Sequence, residues 1–155
     1  KAICIRLMKV ILLSGSVGTG KTTLAKEIAK KHSYKYIDLN KIMIKNRLCS
    51  GYDKKLKTYL IDIKKSNKLM ISLIKEAEKN NEKGIVIDSH LSHYLPSKYA
   101  DVCIITKTSL KNLKKRLQKR RYSNNKIKEN IEAEILDVCL VEAIENKHKI
   151  KIVKN

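Results

Sequence analysis

The stretch KVILLSGSVGTGKTTLAKEIAKKH, residues 9–32, changes its hydrophobic period halfway along. Residues 9–14 form an unbroken apolar run suited to a strand buried on both faces, whereas residues 22–32 carry apolar side chains at helical spacing. Between them Gly15-Ser16-Val17-Gly18-Thr19-Gly20-Lys21-Thr22 matches G-x-x-x-x-G-K-[ST] in full, with the strand before and the helix after that the pattern requires. Glycine lets such a loop turn its backbone N–H groups inward around a phosphate, and the helix N-terminus adds roughly half a unit of positive charge. Lys21 is expected to bridge the β- and γ-phosphates of a nucleotide, and the Thr22 hydroxyl to ligate Mg²⁺.

Outward from this loop, short β-branched runs alternate with longer amphipathic ones. Residues 34–39, 84–89, 101–106 and 148–154 read as four more strands, and the segments near 66–81, 109–120 and 124–146 read as helices. Alternation of this kind predicts an α/β three-layer fold, a five-stranded parallel sheet with helices on both faces. Ligands of such sheets bind beyond the carboxyl ends of the strands. No linker or repeat interrupts the 155 residues, so one domain is expected over 1–155, with 1–8 a possible extension ahead of or including Met8.

No apolar run approaches the roughly 20 residues of a membrane span, which predicts a protein without a membrane partner. Cys4, Cys49, Cys103 and Cys139 lie far apart with no paired spacing. They point to neither a disulfide framework nor a zinc site, and to a reducing cytoplasm, with Cys103 and Cys139 as small core side chains. The formal net charge of +20 attracts nucleic acid or nucleotide phosphates, although an AT-rich coding sequence would yield the same lysines on solvated faces. Arginine is scarcer, and Arg116, Arg120 and Arg121 fall within six residues. Their planar donors suit phosphate.

The residue expected to manage the metal is Asp88, which ends the run GIVID. Two positions on, His90 would share its face by strand alternation and could orient or deprotonate a water or hydroxyl near the γ-phosphate. Arg116 and Arg120 share a helical face and suit a closing lid that brings arginine to the transferring group. His32 and His93 lack such a setting and read as structural or surface residues.

The loop at 15–23, GYD at 51–53, VIDSHLSHYLP at 86–96 and RLQKRRYSNNKIKENIEAEILDV at 116–138 together resemble the adenylate kinase isoenzyme 6 family, over about residues 9–153. The resemblance implies a broad-specificity nucleoside monophosphate kinase (ATP + AMP ⇌ 2 ADP) with a separate ATPase activity, using Mg²⁺ with ATP. It further implies a role in late maturation of the small ribosomal subunit, in association with a ribosomal protein of the S-eleven type and its ribosomal RNA. Carried over by position, ATP contacts fall on Gly18, Gly20, Lys21, Thr22, Thr23 and Arg120, the monophosphate-binding segment on about 38–61, and the lid on about 119–129. Asp88 and His90 match the family's Asp-x-His.

Three positions depart from that pattern. Val17 replaces a common proline, Arg121 a frequent glycine, and Ile44 stands where an acceptor-binding arginine is expected, leaving Lys41, Lys45 or Arg47 to substitute. The expectation is therefore retained ATP hydrolysis with weak kinase activity. A small-molecule kinase of the shikimate or gluconate type would share the loop but leaves DSH and the arginine cluster unexplained.

Overall fold

The computed structural model describes residues 6–155. Strand β1 (Lys9–Ser14) leads through the glycine-rich loop into helix α1 (Lys21–His32), followed by β2 (Lys35–Asp38) and α2 (Leu39–Lys45). An antiparallel hairpin, β3 (Cys49–Asp53) and β4 (Thr58–Ile61), precedes α3 (Ile63–Lys79) and β5 (Gly84–Asp88). After two short 3₁₀ turns come β6 (Val102–Lys107), α4 (Leu110–Lys119), α5 (Asn124–Ile135), α6 (Val138–Glu145) and β7 (Ile150–Lys154).

Five strands pair in the order β2-β5-β1-β6-β7, all parallel, as the alternation predicts. Strand β1 lies at the centre because its side chains are apolar on both sides. Val10 and Leu12 join Met70, Ile74, Leu39 and Met43 from α3 and α2 on one face, while Leu13 meets Ala25 and Ala29 of α1 on the other. Small alanines let α1 approach the sheet closely. A third cluster, Leu113, Leu117 and Ile127, joins α4 to α5 and takes in Val17 and Tyr122 at its edge. Val17 thus packs the loop onto α4, which carries Arg116, and α5.

The structure corrects several expectations. Residues 39–61 hold a helix and a hairpin that periodicity did not reveal, because each element is shorter than two full helical turns or six strand residues. The expected helix over 124–146 is two helices, broken where Asp137 takes a left-handed conformation (φ 51°) and pairs, with Glu134, to Lys107. Met8 is buried in the core and Arg6 donates to Asp101 Oδ2 at 3.0 Å and to the Tyr99 carbonyl, so the fold uses residues assigned to an extension. Residues 1–5, including Cys4, lie outside the described residues. Cys103 is a core side chain, but Cys139 is only partly buried and lies beside the glycine-rich loop, with its Sγ 3.9 Å from the His90 carbonyl. Among the described residues no helix is long and apolar enough to cross a membrane.

Candidate active site

The loop after β1 is shaped by its glycines and braced by β6. Gly15 has φ 133°, and a Cβ there would lie 2.6 Å from both the carbonyl and the hydroxyl of Thr106. Thr106 Oγ1 donates to the Ser14 carbonyl at 3.2 Å and lies 2.6 Å from Thr19 Oγ1, which donates to the Ser16 carbonyl at 2.7 Å. Gly20 (φ 89°) turns the chain into α1, so that Lys21 begins the helix. These contacts brace the loop from within the protein.

Pairing of β1 with β5 sets Leu13 opposite Asp88, which places the carboxylate at the sheet edge beside the loop. Asp88 Oδ2 accepts from Thr22 Oγ1 at 2.7 Å and from the Tyr36 hydroxyl at 2.8 Å. Burial and the Asp88 hydrogen bond both hold the Tyr36 hydroxyl in its protonated, donating form. Lys21 is recessed in the same cleft, 3.4 Å from the Ser16 carbonyl; burial lowers its pKa, a pull that the Asp88 charge opposes. An anionic phosphate beside the ammonium would act in the same direction as Asp88.

His90 lines this cleft, but not by strand alternation. β5 ends at Asp88, and His90 stands in the turn that follows, its Nδ1 3.4 Å from the Asn40 amide. Burial, then the charge of Lys21, push its pKa down to about 4. At neutral pH it is therefore an uncharged imidazole, suited to hydrogen-bonding a water or hydroxyl and weak as a proton acceptor.

Arg116 and Arg120 do share a face. Arg116 donates to the Gly18 carbonyl at 3.0 Å, and both arginines line a cavity of about 480 Å³ with Gly18, Gly20, Thr23 and Asn155. Arg120 also reaches the cleft of about 510 Å³ that holds Lys21, Thr22, Asp88 and His90. The predicted lid at 119–129 is an elbow between α4 and α5. Arg121 has φ 57° there, the conformation that glycine adopts most easily. Lys126 spans from the elbow to the hairpin, donating to the Lys57 carbonyl at 3.5 Å with its ammonium 4.1 Å from the Tyr122 ring centre.

A second pocket of about 430 Å³ opens at His90 and is lined by Asn40, Ile44, Tyr52, Lys57, Thr58 and Tyr59. Ile44 faces it, while Arg47 is an exposed residue past the end of α2 and does not line it. Sequence reasoning missed Tyr36 and Asn40, whose places arise from strand pairing and from a helix too short to show a period, and it put Lys126 in the lid without its contact to the hairpin. His93, read as structural or surface, is fully buried, while His32 is exposed.

Thr22 and Asp88 thus bring oxygen atoms beside a recessed lysine, a braced loop and two arginines. A family model described as an AAA domain matches residues 11–137. The sequence is 35% identical over 136 residues to the adenylate kinase isoenzyme 6 homolog of Caenorhabditis elegans, covering 88% of this chain and 72% of that protein. With its namesake in Dictyostelium discoideum it shares 35% identity over 144 residues, 92% of this chain and 78% of the other. The chain belongs to the adenylate kinase isoenzyme 6 family. Among solved structures it is similar in fold to deoxyadenosine kinase from M. mycoides, with TM-score 0.55 and 18% identity, covering 94% of this chain and 90% of that one. It is also similar to shikimate kinase from Bacteroides thetaiotaomicron, with TM-score 0.51 and 16% identity, covering 95% of this chain and 86% of that one. These likenesses show the fold, that of a P-loop kinase.

Proposed function

We propose that residues 1–155 act as one catalytic domain that transfers the γ-phosphoryl group of Mg·ATP to a nucleoside monophosphate, AMP in the reaction ATP + AMP ⇌ 2 ADP, with water as a competing acceptor. The observation that carries this reading is the convergence of Lys21, Thr22, Asp88 and His90 in one cleft that opens onto a second pocket. Gly18, Gly20, Lys21, Thr22 and Thr23 hold the phosphates of ATP, and Arg116 and Arg120 approach from the elbow side. Thr22 and Asp88 would hold Mg²⁺, a hard cation matched to their oxygens, which supplies charge neutralisation on the phosphates. His90, uncharged, positions the attacking oxygen.

Hydrolysis is the stronger activity in this reading. The acceptor pocket has Lys57 and no arginine in its lining, whereas a monophosphate is best held by a bidentate guanidinium. ADP formation from Mg·ATP, with and without each monophosphate, tests this on wild type and Lys21→Ala. Turnover that is lost in Lys21→Ala and little raised by AMP is the expected result. A steep rise with AMP returns the principal activity to monophosphate phosphorylation.

A second role is favoured by the family and by the +20 charge: a nucleotide cycle in maturation of the small ribosomal subunit in the cytoplasm, with an S-eleven-type ribosomal protein and ribosomal RNA as partners. Asp88→Asn should then impair small-subunit maturation even where another enzyme supplies AMP phosphorylation.

A further inference from the structure

His93 is a buried imidazole with no face in the cleft, yet both of its nitrogens are engaged. It sits on the short turn Ser92–Tyr94, and its Nε2 lies 2.7 Å from Glu142 Oε2 on α6. A carboxylate accepts, so Nε2 carries the proton. On the other side Nδ1 lies 2.6 Å from Ser14 Oγ. Ser14 ends β1 immediately before Gly15, and the same hydroxyl lies 3.3 Å from the His90 carbonyl. The His148 ring donates to the His93 carbonyl at 2.9 Å, fixing the backbone that presents the ring.

The Ser14 hydroxyl has one proton and two acceptors. Burial lowers the His93 pKa against the opposing pull of Glu142, which leaves Nδ1 with a free lone pair at neutral pH. The shorter contact then takes the proton. An apolar side chain would fill the same volume without the cost of burying an imidazole, so the ring's two polar edges point to orientation rather than packing.

We propose that His93 is a positioning residue: braced by Glu142, it fixes the Ser14 hydroxyl and, through it, the end of β1 from which the phosphate-binding loop starts. The chain of contacts also ties the loop to α6, which follows the elbow helices. This inference rests on the reading of the Lys21–Asp88–His90 cleft as a phosphoryl-transfer site.

Asparagine and glutamine at position 93 separate the two edges. The shorter amide reaches the place of Nδ1 and keeps the Ser14 contact; the longer one reaches the place of Nε2 and keeps Glu142. At saturating Mg·ATP, Ser14→Ala and His93→Gln are expected to lower kcat about tenfold with KM within about twofold, while His93→Asn retains most of kcat. Thermal melts establish that each variant is folded. Equal kcat in all folded variants, or retention in His93→Gln and loss in His93→Asn, overturns the proposal.

A second readout does not need turnover. In protein labelled with ¹⁵N-histidine, Mg·ADP should displace the His93 Nδ1 resonance in wild type and not in Ser14→Ala, since occupancy of the loop is felt through that hydroxyl. No displacement in wild type overturns the positioning role. A protein that binds Mg·ADP and shows the displacement, yet forms no ADP from ATP, upholds the positioning role and removes the phosphoryl-transfer reading. Failure to bind Mg·ADP overturns both.

Discussion

Gly15 and Arg121 both have positive φ, 133° and 57°, with opposite consequences. Gly15 has no alternative: a Cβ would meet Thr106 at 2.6 Å, and the neighbour is backbone as well as side chain. Gly15→Ala is therefore expected to destabilise the fold by about 2 kcal/mol or more and to weaken nucleotide binding, measured by chemical denaturation and by titration with a fluorescent ATP analogue. Arg121 carries a side chain in a conformation that costs an L-residue roughly 1–2 kcal/mol relative to the right-handed helix. Arg121→Gly should raise stability slightly, by about 0.5 kcal/mol once glycine's greater unfolded-state freedom is deducted. A lower unfolding midpoint would mean that the guanidinium makes a compensating contact. Tyr36 offers a third test, since its hydroxyl is one of two donors to Asp88 Oδ2. Removing it in Tyr36→Phe should lower kcat for Mg·ATP turnover by about three- to tenfold, because a charged acceptor loses one of its orienting hydrogen bonds.

At the scale of elements, the elbow between α4 and α5 and the hairpin β3–β4 are the two parts that flank the cleft, and Lys126 joins them. The ammonium gains from the Tyr122 ring face as well as the Lys57 carbonyl. Lys126→Met keeps the stem and removes the charge, so it should leave the unfolding midpoint nearly unchanged while raising KM for the acceptor. Steady-state kinetics with AMP varied at fixed ATP measures this. The same two elements mark the limit of what the residues alone disclosed. The loop at 15–22 and the Asp88 strand were legible because a run of apolar residues and a fixed spacing of glycine and lysine encode them locally. The hairpin was not: Tyr52 and Tyr59 stack edge to face across strands at 5.0 Å, a pairing that no helical or alternating period announces. His90 was found for a reason the fold does not use, since it enters the cleft from a turn. Tyr36 and His93 were missed as site residues because their partners, Asp88 and Ser14, are 52 and 79 residues away.

For the whole molecule, 35 basic against 15 acidic side chains leave a net +20 that repels itself in the compact state. Salt screens that repulsion over about 10 Å at 0.1 M, so the melting temperature should rise between 0.02 and about 0.3 M salt, the reverse of a fold held by surface ion pairs. With charge effects screened, the response to acid isolates the buried histidines. His93 in the folded protein binds a proton less readily than in the unfolded chain, because burial outweighs the attraction of Glu142. The unfolded state therefore takes up its proton first as pH falls. The contribution of the neutral buried ring is fully present above the ordinary imidazole value near 6.5 and is lost progressively as pH drops from there toward the depressed folded value. Urea midpoints measured at about 0.3 M salt should fall between pH 7.5 and 5, and the fall should be shallower in His93→Asn, which has no group to titrate. Identical slopes in the two proteins would mean that His93 keeps an ordinary proton affinity in the fold, and that Glu142 rather than burial sets its charge.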